Sequence, residues 1–150
     1  MLKVALVGVG GISGAHIPAW EERRDAELVA LCDIRAEQME KYKNKHCYTD
    51  FDEMLKNEEI DILDICLPTY LHAEFAIKAM NMGINVICEK PVEMSVAALD
   101  EMIAAAEKSG KVFSVHQNRR FDVDFLAMKH LKEIYLRFIV SLLMIIPIAF

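Results

Sequence analysis

The sequence predicts an α/β domain built on a doubly wound parallel sheet. Three observations carry this expectation. Short apolar runs alternate with helical patterns along the chain, the arrangement of βαβ units. Those runs are nearly continuous in apolar residues, as strands covered on both faces require. A cluster of glycines closes the first run and opens a helix. At 150 residues, 54% hydrophobic and 27% charged, the chain suffices to bury one core.

The elements follow in order. Residues 2–7, LKVALV, read as a strand closed by Gly8, Gly10 and Gly11, and residues 13–23 as a helix. ELVALCD, 27–33, is a second strand, followed by a polar helical stretch from Arg35 to about Lys45. FDEML suggests a short helix with Asp50 as its N-cap. IDILDICLP, 60–68, reads as a third strand, and 71–83 as a helix with apolar spacing that ends on Gly83. INVIC, 84–88, is a strand. The helix after it opens on Ser95 and closes on Gly110. KVFSVH, 111–116, is the last strand and 122–134 the last helix. No repeat of fixed period and no low-complexity linker interrupts the series.

The net charge of -6 and the pI near 5.4 argue against an electrostatic nucleic-acid or anionic-membrane partner. Cys32, Cys47, Cys66 and Cys88 form no C-x-x-C pair, which fits neither a zinc site nor a disulfide framework. Buried, reduced thiols and no metal are expected, in a cytoplasmic protein. Lys3 is followed at once by the first strand, with no secretory signal.

Gly8-Val9-Gly10-Gly11-Ile12-Ser13 matches G-x-G-x-x-G with Ser13 in the third glycine position. Gly8 permits a tight turn out of the strand. Gly10 lets the backbone approach a pyrophosphate held at the helix N-terminus. Asp33 ends the second strand 25 positions after Gly8, near the ~20-residue offset of an acid that holds a ribose 2′-hydroxyl. This is the pattern of a Rossmann-type dinucleotide-binding domain, the alternative being glycines that simply make a structural turn. A carboxylate at 33 accepts from a free hydroxyl and repels a 2′-phosphate, favouring NAD. Arg35 softens that preference and keeps NADP possible. Asp33 also reads as an N-cap for a helix beginning near Ala36, and the two roles are compatible.

The strand INVIC ends in Glu89-Lys90-Pro91, on the sheet edge that carries the glycine turn. Lysine there would hold a substrate hydroxyl and ease its deprotonation. Pro91 restricts Lys90 and so aims it. The alternative is a solvated turn with a chance ion pair.

Together GVGGISGAH with His16, the segment Cys66–Pro91 with its Pro68-x-x-x-His72 spacing and Glu-Lys-Pro, and HQNRRFD at 116–122 resemble the N-terminal half of the Gfo/Idh/MocA oxidoreductases. The resemblance covers roughly residues 3–126. It implies that Gly8, Gly10, Gly11, Ile12 and Asp33 line the cofactor, and that Pro68, Thr69 and His72 form the turn beneath its nicotinamide half. By the same resemblance Glu89 and Lys90 face nicotinamide and substrate, with Lys90 catalytic, and Asn118 and Arg119 continue the substrate wall. The implied activity is hydride transfer between nicotinamide and a sugar, polyol or related alcohol. The family usually has Thr before the turn proline and often Asn after it, where this chain has Leu67 and Thr69.

Taken from the residues alone, His16 reads as a packing or capping histidine, His72 as the opening of a helix, and His116 as half-buried structure. Arg119 and Arg120 read as solvated charges. Residues 138–150 are apolar apart from Ser141. Thirteen such residues would cover ~20 Å as a helix, short of a ~30 Å hydrocarbon core, so no membrane span is expected. The division read here is a dinucleotide-binding domain at 1–133 and an apolar tail at 134–150, from truncation or a frame shift near Glu133. A tail packed across a partner in a homo-oligomer is the second reading. A stand-alone nucleotide-binding or assembly module is the alternative function.

Overall fold

The computed structural model describes residues 1–145, with side chains described through residue 136. The strands are β1 (Leu2–Val7), β2 (Ala26–Cys32), β3 (His46–Tyr48), β4 (Ile62–Ile65), β5 (Asn85–Cys88) and β6 (Phe113–Val115). The helices are α1 (Ser13–Glu21), α2 (Phe51–Asn57), α3 (His72–Asn81), α4 (Val96–Ser109) and α5 (Val123–Ile145). Residues Met1–His116 form one compact unit and Gln117–Phe150 a second.

In the first unit all six strands pair in parallel, in the order β3-β2-β1-β4-β5-β6. This is a Rossmann-like α/β fold, and its connections reverse direction between β1 and β4. A ligand crevice belongs beyond the carboxyl ends of those strands. The apolar runs are explained by their two-sided burial. Ala5 and Val7 enter one core with Leu63, Ile65, Ala76, Met80 and Met102. Val4 and Leu6, on the opposite face, pack with Ile17, Leu28, Leu31 and Met39. Each face is covered, so alternation disappears from the sequence.

The helix ends follow local chemistry. Asp50 caps α2, its Oδ1 accepting from the backbone N–H of Glu53 at 2.9 Å. Gly83 (φ 83°) lets the chain turn back after α3, with Ile84 N–H donating to Ala79 O. Gly110 (φ 65°) ends α4 in the same left-handed conformation. Ser95 stands at the N-cap of α4 in extended backbone, without a side-chain bond.

Two segments differ from expectation. The polar stretch from Arg35 to Lys45 is a 3₁₀ turn at Ala36–Gln38 followed by further tight turns, with Met39 N–H donating to Ala36 O and Tyr42 N–H to Met39 O. Only Met39 of this stretch is buried, so no apolar stripe exists to hold a regular helix against the sheet. The three-residue β3, on the sheet edge, has no counterpart among the strands the sequence predicts. Its pairing with Ala30–Cys32 of β2 supplies what its sequence, His-Cys-Tyr, does not. Cys32, Cys66 and Cys88 are buried and free, whereas Cys47 on this edge strand is exposed.

The second unit holds a 3₁₀ turn at Asn118–Phe121 and helix α5. α5 runs unbroken through positions 133 and 134, where the sequence reading divides domain from tail. The tail's side chains beyond residue 136 and its last five residues lie outside the described part. Among the described residues no helix is long and apolar enough to cross a membrane.

The Asp50 cap is directly testable. Asp50→Ala should lower stability by about 1 kcal/mol in urea unfolding. Unchanged stability would mean that α2 is held by packing alone.

Candidate functional site

The site starts from hydrogen bonds that extend the sheet one residue past its strands. Gly8 N–H donates to Cys32 O at 2.8 Å, Cys66 N–H to Val7 O at 2.8 Å, Glu89 N–H to Ile65 O at 3.0 Å and His116 N–H to Cys88 O at 2.8 Å. The first residue after four neighbouring strands is thereby fixed along one edge.

At β1 the chain turns on Gly8 (φ 92°). A Cβ there would lie 2.7 Å from Cys66 O and 2.8 Å from Cys66 C, so only glycine fits. A Cβ on Gly10 or Gly11 would meet nothing within 4 Å. These positions are open toward the crevice, and a bound group can approach their backbone. Ser13 turns its hydroxyl back onto Gly10 O at 2.6 Å and is itself buried.

Asp33 is buried at the end of β2, and both its oxygens are engaged. Oδ2 accepts from Val9 N–H at 2.8 Å, and Oδ1 from Arg35 N–H at 2.9 Å. The Arg35 Nε lies 3.5 Å from Oδ1. Asp33 does not cap the 3₁₀ turn, whose N-cap position is Arg35. It braces the glycine turn instead.

Between these elements lies a cleft of about 740 Å³. Of the residues that sequence reading assigned to a dinucleotide, it brings together Gly8, Gly10, Gly11, Asp33 and Pro68. Thr49, Asp50, Phe51, Tyr70 and Leu71 also line it and were not anticipated as wall residues. Ile12 lies outside the lining, at the N-cap position of α1. Thr69, also outside it, opens the 3₁₀ turn Thr69–Leu71. His72 is 1% exposed and faces two backbone carbonyls, Nε2 on Leu67 O at 2.8 Å and Nδ1 on Val92 O at 3.1 Å. It ties the Pro68 turn to the segment after Pro91. Asn118 and Arg119 stand in the second unit's 3₁₀ turn, with Arg119 Nε donating to Asp122 Oδ2 at 3.0 Å.

Glu89 and Lys90 lie beyond this lining, where a buried polar chain meets the edge. Period-two alternation puts Asp64 of β4 on the face opposite Leu63 and Ile65, under α1. Its Oδ2 accepts from Trp20 Nε1 at 2.7 Å and faces His16 Nδ1 at 2.8 Å. His16 Nε2 is 3.0 Å from Glu89 Oε1, and His116 Nδ1 is 2.6 Å from the same oxygen. Glu89 Oε2 accepts from Lys90 N–H at 3.0 Å and lies 3.8 Å from Lys90 Nζ. No buried side-chain polar atom among the described residues lacks a partner.

The sequence places Glu89 and Lys90 at this edge, whereas His16 and His116 read there as structure and Asp64 carries no expectation. The available signal was an aspartate inside the apolar run ILDIC, since a buried carboxylate demands donors. Side-chain donor atoms of His16, Glu89 and His116 lie within 4.8 Å of one another, as do those of His16, Asp64 and Cys66.

The chain shifts proton affinities in opposite directions. His16 is held above its ordinary value, chiefly by its hydrogen bond to Asp64, against the opposing cost of burial. For Glu89 burial is the largest influence and pushes upward. Hydrogen bonds from His116, the Lys90 backbone and His16 together outweigh it and leave the carboxyl below its ordinary range. Burial pushes the Cys32 and Cys88 thiols up to about 12, so neither is a nucleophile at neutral pH.

A family model described as an oxidoreductase family with an NAD-binding Rossmann fold matches residues 2–117. The chain belongs to the Gfo/Idh/MocA oxidoreductase family. It is 36% identical over 128 residues to D-glucoside 3-dehydrogenase of Escherichia coli, covering 82% of this chain and 36% of that protein. Myo-inositol 2-dehydrogenase of Thermotoga maritima is 29% identical over 136 residues, with coverages of 88% and 41%. Among solved structures, the WlbA dehydrogenase of Bordetella pertussis in complex with NADH and UDP-GlcNAcA superposes with a TM-score of 0.84 at 29% identity. That match covers 88% of this chain and 42% of the other. This Gfo/Idh/MocA chain thus spans less than half the length of these relatives.

Linkage gives a pH prediction. His16 binds its proton more tightly folded than unfolded, so its stabilisation is complete below the ordinary histidine value of ~6.5 and is lost as pH rises through the raised folded value. Glu89 acts in the other direction: its contribution is present above ~4.5 and is lost as pH falls through the lowered folded value. The urea midpoint, followed by Trp20 fluorescence, should therefore decline as pH rises from about 6.5 toward the ordinary thiol range near about 8.5. His16→Gln should flatten that decline. A midpoint constant over this interval in the unaltered chain would contradict the shift.

Proposed function

We infer that this chain is the cofactor-binding half of an NAD(P)-dependent oxidoreductase that moves a hydride between nicotinamide and the alcohol carbon of a sugar or polyol. The observation that carries the reading is the open face of Gly10 and Gly11 beside the fixed Asp33 carboxylate, on the sheet edge that also bears Lys90. The backbone at Gly8–Gly11 and the start of α1 would hold the pyrophosphate, and Asp33 the ribose. Each Asp33 oxygen keeps a lone pair beyond the one used by Val9 or Arg35. When bound, the nicotinamide accepts or supplies the hydride.

Lys90 would hold the substrate hydroxyl and stabilise the alkoxide that develops as hydride leaves, and Glu89 would fix the lysine's backbone. Ile12, Thr69 and His72 would shape the cofactor's surroundings, His72 by tying two loops together. Asn118 and Arg119 would reach the substrate. NAD is the favoured cofactor, because the Asp33 carboxylate repels a 2′-phosphate. The named relatives act on a glucoside and on inositol, which supports a polyhydroxylated substrate. Free, buried Cys32, Cys66 and Cys88 support a reducing, cytoplasmic setting. The apolar side chains exposed on α5, Met128, Leu131 and Tyr135 among them, support a homo-oligomer. The division at 133/134 remains part of this reading, and the DNA after codon 133, read in the other two frames, would reveal a frame shift.

Titration should show NADH binding more tightly than NADPH. Asp33→Ala should narrow or reverse that gap. Because the same carboxylate braces Val9 and Arg35, the substitution should also weaken both cofactors, by about tenfold. NADPH preferred by the unaltered chain would overturn the assignment of Asp33.

Turnover is tested by joining residues 1–130 to the second domain of an inositol dehydrogenase. Lys90→Met in that chimera should leave NADH affinity nearly unchanged and cut turnover at least ~100-fold. Equal turnover would remove Lys90 from the chemistry. Cofactor binding with no turnover in either chimera would favour a binding module.

A further inference from the structure

Glu89 joins the cofactor edge to the interior, and the residues behind it carry no role in the reaction described above. Its Oε2 holds the Lys90 backbone, while its Oε1 receives His16 and His116. His16 then contacts Asp64, which also receives Trp20. Both ring nitrogens of His16 therefore face carboxylate oxygens. An ionised carboxylate only accepts, so each of these contacts needs a proton on the imidazole. With both bonds formed, the ring is an imidazolium.

The charge arrangement agrees. Asp64 is 1% exposed and Glu89 5%, and two such carboxylates require a cation between them. His16, 7% exposed, is the group placed between both. From α1, Trp20 offers Asp64 a neutral N–H, and Cys66 offers it a thiol at 3.8 Å. Of the two carboxylates, Lys90 after β5 and His116 after β6 approach only Glu89, and the His116 ring also stands edge-on to the His16 ring with centroids 4.7 Å apart. Arg23 of the neighbouring crevice is paired with Asp25. The separations of 2.6 and 3.0 Å about Glu89 Oε1 are those of shared protons, and the Lys90 ammonium, 3.8 Å from the other oxygen, Oε2, disfavours a metal ion.

We propose that His16 is a positioning residue for Lys90: as an imidazolium clamped between Asp64 and Glu89, it works with His116 to hold Glu89 as a carboxylate whose far oxygen stays fixed on the Lys90 backbone. The functional meaning rests on the reading of Lys90 given above. The arrangement itself is tested on the 150-residue chain without cofactor, so a failure to bind NADH and a failure of this clamp are separate results.

The measurement is ¹⁵N NMR of the histidine rings and of the Lys90 amide from about pH 6 to 9. His16 should carry protons on both nitrogens at pH values where an ordinary histidine, near ~6.5, is already neutral. The Lys90 amide shift should move with the same midpoint as the His16 ring. A role confined to packing would not couple these two signals. In His16→Gln the Lys90 amide should exchange at least ~10-fold faster, as expected for weakening a charge-assisted hydrogen bond. The Val86 amide, bonded to Val112 O at 2.9 Å, should keep its exchange rate.

A neutral His16 at pH 7 overturns the proposal. So does a Lys90 amide indifferent to its titration, or equal acceleration of Val86 and Lys90. Stoichiometric Zn²⁺ binding that displaces both ring protons would also overturn it. Should His16→Gln fail to fold, the pH series on the unaltered chain decides the matter alone.

Discussion

The carbonyl of Cys66 approaches residue 8 so closely that a Cβ there would stand 2.7 Å from it. This contact sets the edge on which the candidate site is built. β1 and β4 are neighbours, and the chain must leave β1 without colliding with the end of β4. A glycine with φ of 92° achieves this and points the next residues across the edge. Asp33, from the other neighbouring strand, then fastens Val9 from the opposite side. The open backbone at Gly10 and Gly11 is a consequence of both constraints.

Behind that edge the molecule does something costlier. Asp64 occupies a strand position where its neighbours Leu63 and Ile65 are fully buried. A carboxylate there would be strongly destabilising alone. Trp20 and His16 remove the penalty by donating to it, and both lie on α1, the helix that the glycine turn launches. Burial of such a chain is weak evidence for added stability. Its value lies in geometry, because each donor fits only when α1, β4 and the ends of β5 and β6 are in register. The glycine turn and the Glu89–Lys90 turn are thereby coupled through α1.

Much of the fold was legible. The continuous apolar runs at 2–7 and 84–88 declared strands covered on both faces, and Asp50, Gly83 and Gly110 marked helix ends by their own chemistry. The stretch from Arg35 to Lys45 misled because helix-forming side chains were present without an apolar stripe. β3 was invisible because three residues, exposed or half-buried, acquire strand structure only from β2 beside them.

In the candidate site, residues with a local backbone role were readable. The glycines, Asp33 and Glu-Lys-Pro announce themselves by spacing, since a turn or a strand end constrains its own few residues. His16, Asp64 and His116 do not, being separated by 48 residues in one case and 52 in the other. His72, expected beneath the nicotinamide half of a cofactor, also clasps two loops together from a buried position, a contact its place in the sequence does not reveal. The sequence by itself determined the layered α/β architecture and the position of the glycine turn, because these follow from local periodicity and backbone freedom. Only the tertiary structure decided which polar side chains meet. Hydrogen-bond partners are chosen by distance in space, and parallel strand order brings together residues that the chain keeps far apart.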